Sequence, residues 1–155
     1  MIQHIWTVIC RAYIVDQQTN NISLIDVMEE TALSPHAVDP QTNLPRLPAV
    51  FNVVSLWGRE TSAQAEAGQT RLRFFSPGGI SLMEHPAEVN LQEFRRMRLL
   101  SQFMGLPLAG PGTYQFRVER RADANAEWEE VARVPLDIAV EEVPPVQRAN
   151  GEAAH

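Results

Sequence analysis

The sequence predicts an all-β protein, a two-sheet sandwich of about 7–9 strands. Three observations support this prediction. Short runs rich in β-branched and aromatic residues recur along the chain, 11 prolines and 8 glycines separate them, and the strand–helix alternation of a parallel sheet is absent. Because 155 residues is the length of one ordinary domain, we expect a single sandwich domain over residues 1–140.

The first third of the chain predicts a long strand, a hairpin and a crossing connection. Residues 2–15 are rich in Ile, Val, Trp and Tyr, which is typical of a strand covered on both faces for part of its length. The polar residues 17–21 predict a turn, and residues 22–28 predict the second strand of a hairpin. Residues 29–48 contain four prolines, so we expect an extended connection that crosses from one sheet to the other.

Two further strands are predicted before the middle of the chain. Residues 49–56 and 70–75 are both rich in strand-forming side chains. The segment Ser76-Pro77-Gly78-Gly79 follows the second of them. Proline at the first corner and glycine after it suit a type II turn, because glycine adopts the positive φ without steric cost.

Residues 89–105 carry conflicting signals. The helical signals are a capping box, a hydrophobic staple and a glycine stop: Asn90 with Glu93, Val89 with Phe94, and Gly105. An alternation of apolar and polar residues fits a strand equally well: Met97, Leu99 and Phe103 against Arg96, Arg98 and Gln102. Periodicity alone therefore leaves helix and strand open for residues 90–104.

The last third of the chain predicts strands and a tail. Apolar and polar side chains alternate over residues 114–118, and a polar loop follows at residues 122–126. Residues 128–140 supply the last strand or strand pair, with Pro135 at an edge or a bulge. Prolines, small residues and charges predict a disordered C-terminal tail over residues 141–155.

Three stretches of the sequence together carry a family resemblance. They are residues 10–16 with 19–24 and 29–30, residues 66–68 leading through 71–73 to 76–79, and residues 105–108 with 110–118. The chain resembles, over about residues 5–140, a bacterial family of small proteins of unknown function whose members are immunoglobulin- or C2-like sandwiches. Its most specific part is the Gly-x-Tyr-x-Phe-x-Val segment, residues 112–118. The resemblance implies the fold alone, favours strand for residues 95–103, and transfers no catalytic residue.

The basic residues of this chain exclude one class of chemistry. All 13 of them are arginine, so Schiff-base catalysis and a phosphate-loop lysine are excluded. The formal net charge of -6 argues against a surface made for nucleic acid or anionic membranes. The single cysteine, Cys10, lies in an apolar predicted strand and is expected to behave as a small buried hydrophobe.

Targeting and metal-binding patterns are also missing from the sequence. Residues 1–10 lack the basic region of a signal peptide, and the longest apolar run, residues 47–57, is shorter than the roughly 20 residues of a membrane helix. We therefore expect a cytoplasmic protein without membrane contact. The four histidines are far apart and no Asp-x-Asp occurs, so we expect no metal site and no cofactor.

The middle of the chain is its basic part. Residues 71–121 carry eight arginines and four acids, whereas the segments on both sides carry more acids than arginines. If residues 95–103 form a strand, a sheet that pairs it with residues 70–75 would gather four guanidinium groups into one anion-binding patch: Arg71, Arg73, Arg96 and Arg98. The alternative is an ordinary exposed face, balanced by acids on adjacent strands: Glu119, Glu129 and Glu130.

These features predict a class of function rather than a reaction. Because no convergent catalytic set is present, we expect a non-enzymatic interaction or assembly module that binds another protein through edge strands or the arginine-bearing face. The alternative is an anion or nucleic-acid binder through that same face. A third hypothesis is a hydrolase that uses two carboxylates distant in the chain. The sequence leaves the oligomeric state open.

Overall fold

Strand-forming runs separated by proline and glycine fold into two sheets. The computed structural model describes residues 1–33 and 46–140, which form nine strands and no helix. The strands are β1 (Ile2–Val15), β2 (Ile22–Val27), β3 (Glu30–Leu33), β4 (Arg46–Arg59), β5 (Glu66–Phe75), β6 (Ser81–Leu91), β7 (Arg96–Pro107), β8 (Gly112–Arg121) and β9 (Glu129–Val140). The predicted all-β, two-sheet sandwich is confirmed. In the described part of the chain, no helix is long and apolar enough to span a bilayer.

The two sheets have four and five strands. The four-stranded sheet has the order β2-β1-β4-β7, and the five-stranded sheet has the order β3-β9-β8-β5-β6. Only β3 and β9 run parallel among the described strand pairs. The predicted crossing over residues 29–48 needs correction, because β2 and β4, the strands before and after that connection, both belong to the four-stranded sheet. The chain instead visits the five-stranded sheet as β3, which the sequence did not predict, and is back in the four-stranded sheet at β4. Residues 34–45 and the predicted tail, residues 141–155, lie outside the described residues.

Aromatic side chains fill the space between the sheets. Phe51 and Phe103 come from the four-stranded sheet, and their ring centroids are 5.8 Å apart. Phe116 of the five-stranded sheet lies 6.1 Å from Phe51 and 4.7 Å from Phe74. Trp57 is fully buried beside this group. Since burying one such side chain contributes about 1.5–3 kcal/mol, this cluster accounts for much of the attraction between the sheets.

Tyr114 fixes the corner before β8. Its hydroxyl accepts a hydrogen bond from the Ala109 amide at 2.8 Å and donates one to the Gly110 carbonyl at 2.5 Å. The ring is fully buried and stacks on Phe74. A tyrosine that bonds back to the backbone upstream of its own strand is typical of immunoglobulin-type sandwiches. The Gly-x-Tyr-x-Phe-x-Val segment therefore has a structural role.

The helical alternative for residues 90–104 is wrong. Asn90 accepts a hydrogen bond from the Gln92 amide, so it caps a turn between β6 and β7 rather than a helix. Val89 is buried in the core, whereas Phe94, its expected staple partner, is 64% exposed. Burial of alternate side chains along β7 outweighs the local capping signals.

The turn between β5 and β6 also differs from the prediction. The Gly79 amide donates to the Ser76 carbonyl, and the Ser76 amide donates to the Ile80 carbonyl. Positive φ occurs at Gly79 (83°) and not at Gly78, which excludes type II. A type I turn followed by a left-handed glycine is a common three-residue hairpin loop, since its twist matches that of the flanking strands.

Pro135 occupies the edge position that the sequence predicts. It lies opposite Gln115 of β8, and the pairing of β3 with β9 starts only at Asp137. At Pro135, β9 therefore has a described neighbour on one side only. Proline has no amide proton to donate, and on the side without a described neighbour this removes no hydrogen bond between strands.

Candidate functional site

Arg71 and Arg73 lie on the outer face of the five-stranded sheet and are neutralised there. Arg71 forms a close ion pair with Glu119, and its Nη1 lies 3.4 Å from Glu84. Arg73 approaches the same two carboxylates at 3.6 and 3.9 Å. Glu119 is only 8% exposed, so this charge is held inside the cluster. Acids on adjacent strands therefore balance these two arginines, as the alternative expects, but the acids are Glu119 and Glu84, and the cluster is more buried than an ordinary exposed face.

Two aromatic rings complete the covering of this face. The guanidinium groups of Arg73 and Arg117 lie over the Phe75 ring, at 4.7 and 3.9 Å from its centroid. Those of Arg71 and Arg121 lie over the Trp128 ring, both at 4.3 Å. Although Phe75 is on the outer face of the sheet, it is only 5% exposed. The guanidinium groups therefore help to shield it from water, through cation–π contacts.

An arginine row crosses this sheet, and the sequence analysis missed part of it. The strand register places Arg73 opposite Arg117 and Arg117 opposite Arg133. Glu130 compensates the last two, pairing closely with Arg133 and lying 3.9 Å from Arg117. The missed signal was the alternation of charge on β8. In the described part of the chain, the buried Nε atoms of Arg73 and Arg117 have no hydrogen-bond partner.

Arg96 and Arg98 lie on the other sheet, so the predicted four-arginine patch is not formed. They belong to β7, which pairs with β4, whereas Arg71 and Arg73 belong to β5, which pairs with β6 and β8. The turn between β6 and β7 carries the chain from one sheet to the other. Within residues 1–33 and 46–140, Arg96 and Arg98 form no ion pair.

The β1–β2 hairpin bends back over the outer face of the four-stranded sheet. Arg98 donates from Nη2 to the carbonyl and side-chain oxygens of Asn20, at the hairpin tip, both at 2.8 Å. Cys10 and Val54 are fully buried but lie outside the core between the sheets. A cavity of about 510 Å³ lies under the tip, and side chains from both parts line it, among them Trp6, Ile22, Leu56 and Arg96.

The β7 strand forms an edge of the four-stranded sheet, and in the described part of the chain it pairs with β4 alone. Its outward side chains are Arg96, Arg98, Leu100, Gln102 and Met104, of which Leu100 is 41% and Met104 73% exposed. Between residues 96 and 104 it contains neither proline nor an acid. The pairing of β7 with β4 becomes irregular only after Met104. The next residue, Gly105, has a positive φ.

The other three edges of the described sheets are protected. In the part of the chain that the structure describes, β2 spans six residues and β3 spans four, so both present a shorter edge than the nine residues from Arg96 to Met104 of β7. The β6 strand is long, but it contains Pro86 and carries Glu84 and Glu88 on its solvent face. Proline and charge are the usual devices that prevent pairing with another chain. The unprotected edge is therefore β7.

Neither protein-family models nor curated proteins match this chain. The resemblance to a bacterial family of small sandwich proteins stays a prediction. Function must then be argued from the geometry of the molecule itself.

Residue types that bind metals are dispersed over the described part of the chain. No group of three or more His, Cys, Asp or Glu residues there is placed to hold a metal ion. Burial raises the pKa of the Cys10 thiol, which disfavours the reactive thiolate. Burial, and the charge of Arg120 to a smaller extent, lower the pKa of His4, whose ring packs edge-on against Trp57.

Proposed function

We propose that this protein is a non-enzymatic interaction module that accepts an extended segment of a protein chain beside β7. The observation that carries the proposal is the unprotected β7 edge, from Arg96 to Met104. The side of β7 away from β4 has no partner strand in the described part of the chain, so its backbone donors and acceptors can pair with a new strand. Its outward side chains alternate as strand addition requires. The single cysteine favours a reducing compartment, and we place the module in the cytoplasm.

The anion-binding alternative receives less support from the two sheet faces. On the five-stranded sheet, the carboxylates of Glu84, Glu119 and Glu130 already form ion pairs with the arginines of the outer face. On the four-stranded sheet, the Arg98 guanidinium is bonded to Asn20. An extended phosphate backbone needs a continuous basic surface, and the arginines here are divided between opposite faces of the sandwich.

The test of the proposed function is selection of binding peptides from a random library of extended segments. We expect the selected peptides to protect the amides of residues 96–104 from hydrogen exchange. Leu100→Lys should weaken their binding at least about tenfold, since a charge then faces the apolar residues of the added strand. The matched control is Ile80→Lys, in the turn between β5 and β6, where Ile80 is 65% exposed. Equal loss in both variants, or protection elsewhere, would contradict the proposal.

A further inference from the structure

We infer that the segment that pairs with β7 is the β7 strand of a second copy of this chain, in an antiparallel arrangement around a two-fold axis. This inference rests on the proposed function and names its partner. The regular part of β7, which pairs on one side only among the described strands, runs from Arg96 to Met104, and its centre is Leu100. Antiparallel pairing of two copies about this centre uses the full regular length on both sides and joins the two four-stranded sheets into one of eight strands.

The sequence of β7 is self-complementary in this register. On the outer face, Leu100 lies opposite Leu100 of the second copy, Arg98 opposite Gln102, and Arg96 opposite Met104. Each guanidinium therefore faces a long neutral side chain, and like charges lie at opposite ends of the paired segment. Parallel pairing in register would instead place Arg96 beside Arg96 and Arg98 beside Arg98, which is destabilising.

The core side of β7 also favours a second copy. Met97 and Leu99 are half-buried and pack against the core from its open edge. A strand added beside β7 covers both side chains. In the same register Met97 lies opposite Phe103, which continues the core across the junction, and Leu99 lies opposite the small side chain of Ser101.

Symmetry favours the same arrangement. Residues 96–104 contain no acid, and the antiparallel register keeps the arginines of the two copies at opposite ends of the junction. Two-fold pairing closes the assembly, because each copy uses its one unprotected described edge. About nine residues a side give roughly 8–10 backbone hydrogen bonds.

The first test is the oligomeric state by analytical ultracentrifugation over a hundredfold range of concentration. We expect a concentration-dependent dimer, and we expect Leu100→Lys to raise its dissociation constant at least about tenfold, because two ammonium groups then meet at the axis. Ile80→Lys, the control for added charge, should leave the dimer intact. A monomer at every concentration, or a dimer that Leu100→Lys does not weaken, overturns the inference.

The second test is specific for the register. Directly opposite residues in antiparallel strands have Cα atoms about 4.5–5.5 Å apart, which suits a disulfide. Under mild oxidation we expect Leu100→Cys to give a covalent dimer, and the more exposed Met104→Cys, which lies opposite Arg96, to give little. The native Cys10 is fully buried and does not compete. Crosslinking of Met104→Cys alone overturns the register.

The two tests separate this inference from the proposed function. If the chain is monomeric but selected peptides bind and protect residues 96–104, strand addition at β7 stands and the second copy is excluded. If the dimer forms through Leu100, the same peptides should dissociate it, because both use one edge.

Discussion

Glu119 is the acid on which the outer face of the five-stranded sheet depends, and Glu119→Gln tests that dependence. The Glu119 carboxylate forms a close ion pair with Arg71 and lies 3.6 Å from Arg73. Its side chain is 11% exposed, and those of the two arginines are 16% and 27% exposed. Loss of a charged hydrogen bond in such surroundings costs about 1.5–3 kcal/mol.

Partial solvent contact of the arginines and the nearby Glu84 reduce this cost. We therefore expect Glu119→Gln to lower the free energy of unfolding by about 2 kcal/mol, which corresponds to roughly 4–8 °C in Tm. Urea denaturation and calorimetry measure both quantities. A double-mutant cycle with Arg71→Ala isolates the coupling between the two side chains.

The matched control is Glu129→Gln, the same chemical change at an exposed ion pair. Glu129 lies 3.0 Å from Arg120, and its side chain is 55% exposed. Exposed pairs contribute about 0–1 kcal/mol, so this variant should stay close to the parent. If Glu119→Gln is no more destabilising than Glu129→Gln, the outer face is an ordinary solvated surface and our account of it is refuted.

Three further predictions concern single positions. Tyr114→Phe removes both hydroxyl hydrogen bonds and should cost about 1–3 kcal/mol by urea denaturation; no change would show that the corner is held by other contacts. Burial lowers the pKa of His4, so the unfolded chain binds a proton first as the pH falls below about 6.5. The resulting loss of stability between about pH 7.5 and pH 5.5 should be smaller in His4→Gln than in the parent, and equal slopes would contradict it. Gly112→Ala meets Pro77 at 2.6 Å with φ at 141°, so it should cost at least about 1–3 kcal/mol. The control Gly78→Ala, with open space and ordinary φ, should stay within about 1 kcal/mol of the parent.

Much of the fold could be predicted from composition and side-chain alternation. The composition of residues 2–15 and the alternation over residues 114–118 predict strands that the structure confirms as β1 and part of β8. For 90–104 the local signals pointed both ways, because Asn90 and Gly105 suit a helix end as well as a turn or a bulge. Packing between the sheets favours strand over helix for these residues, and this packing depends on residues that are distant in the sequence.

The candidate site was harder to predict, for the same reason. Alternation correctly placed Arg71 with Arg73 on one face, and Arg96 with Arg98 on another, but it cannot tell which sheet a strand joins. The two pairs of arginines lie on different sheets because the chain passes from one sheet to the other at the turn between β6 and β7. The edge position of β7 likewise depends on the pairing of all the other strands.

The position of Phe75 gives the absence of lysine a structural consequence. The guanidinium groups of Arg73 and Arg117 lie over its ring, and this aromatic side chain is only 5% exposed on the face turned toward water. An ammonium group is compact and strongly hydrated, so it cannot act as such a cover. We therefore expect this surface to tolerate substitutions as poorly as the interior of the protein does. Replacing Arg73 or Arg117 with lysine uncovers a hydrophobic residue while leaving the charge unchanged.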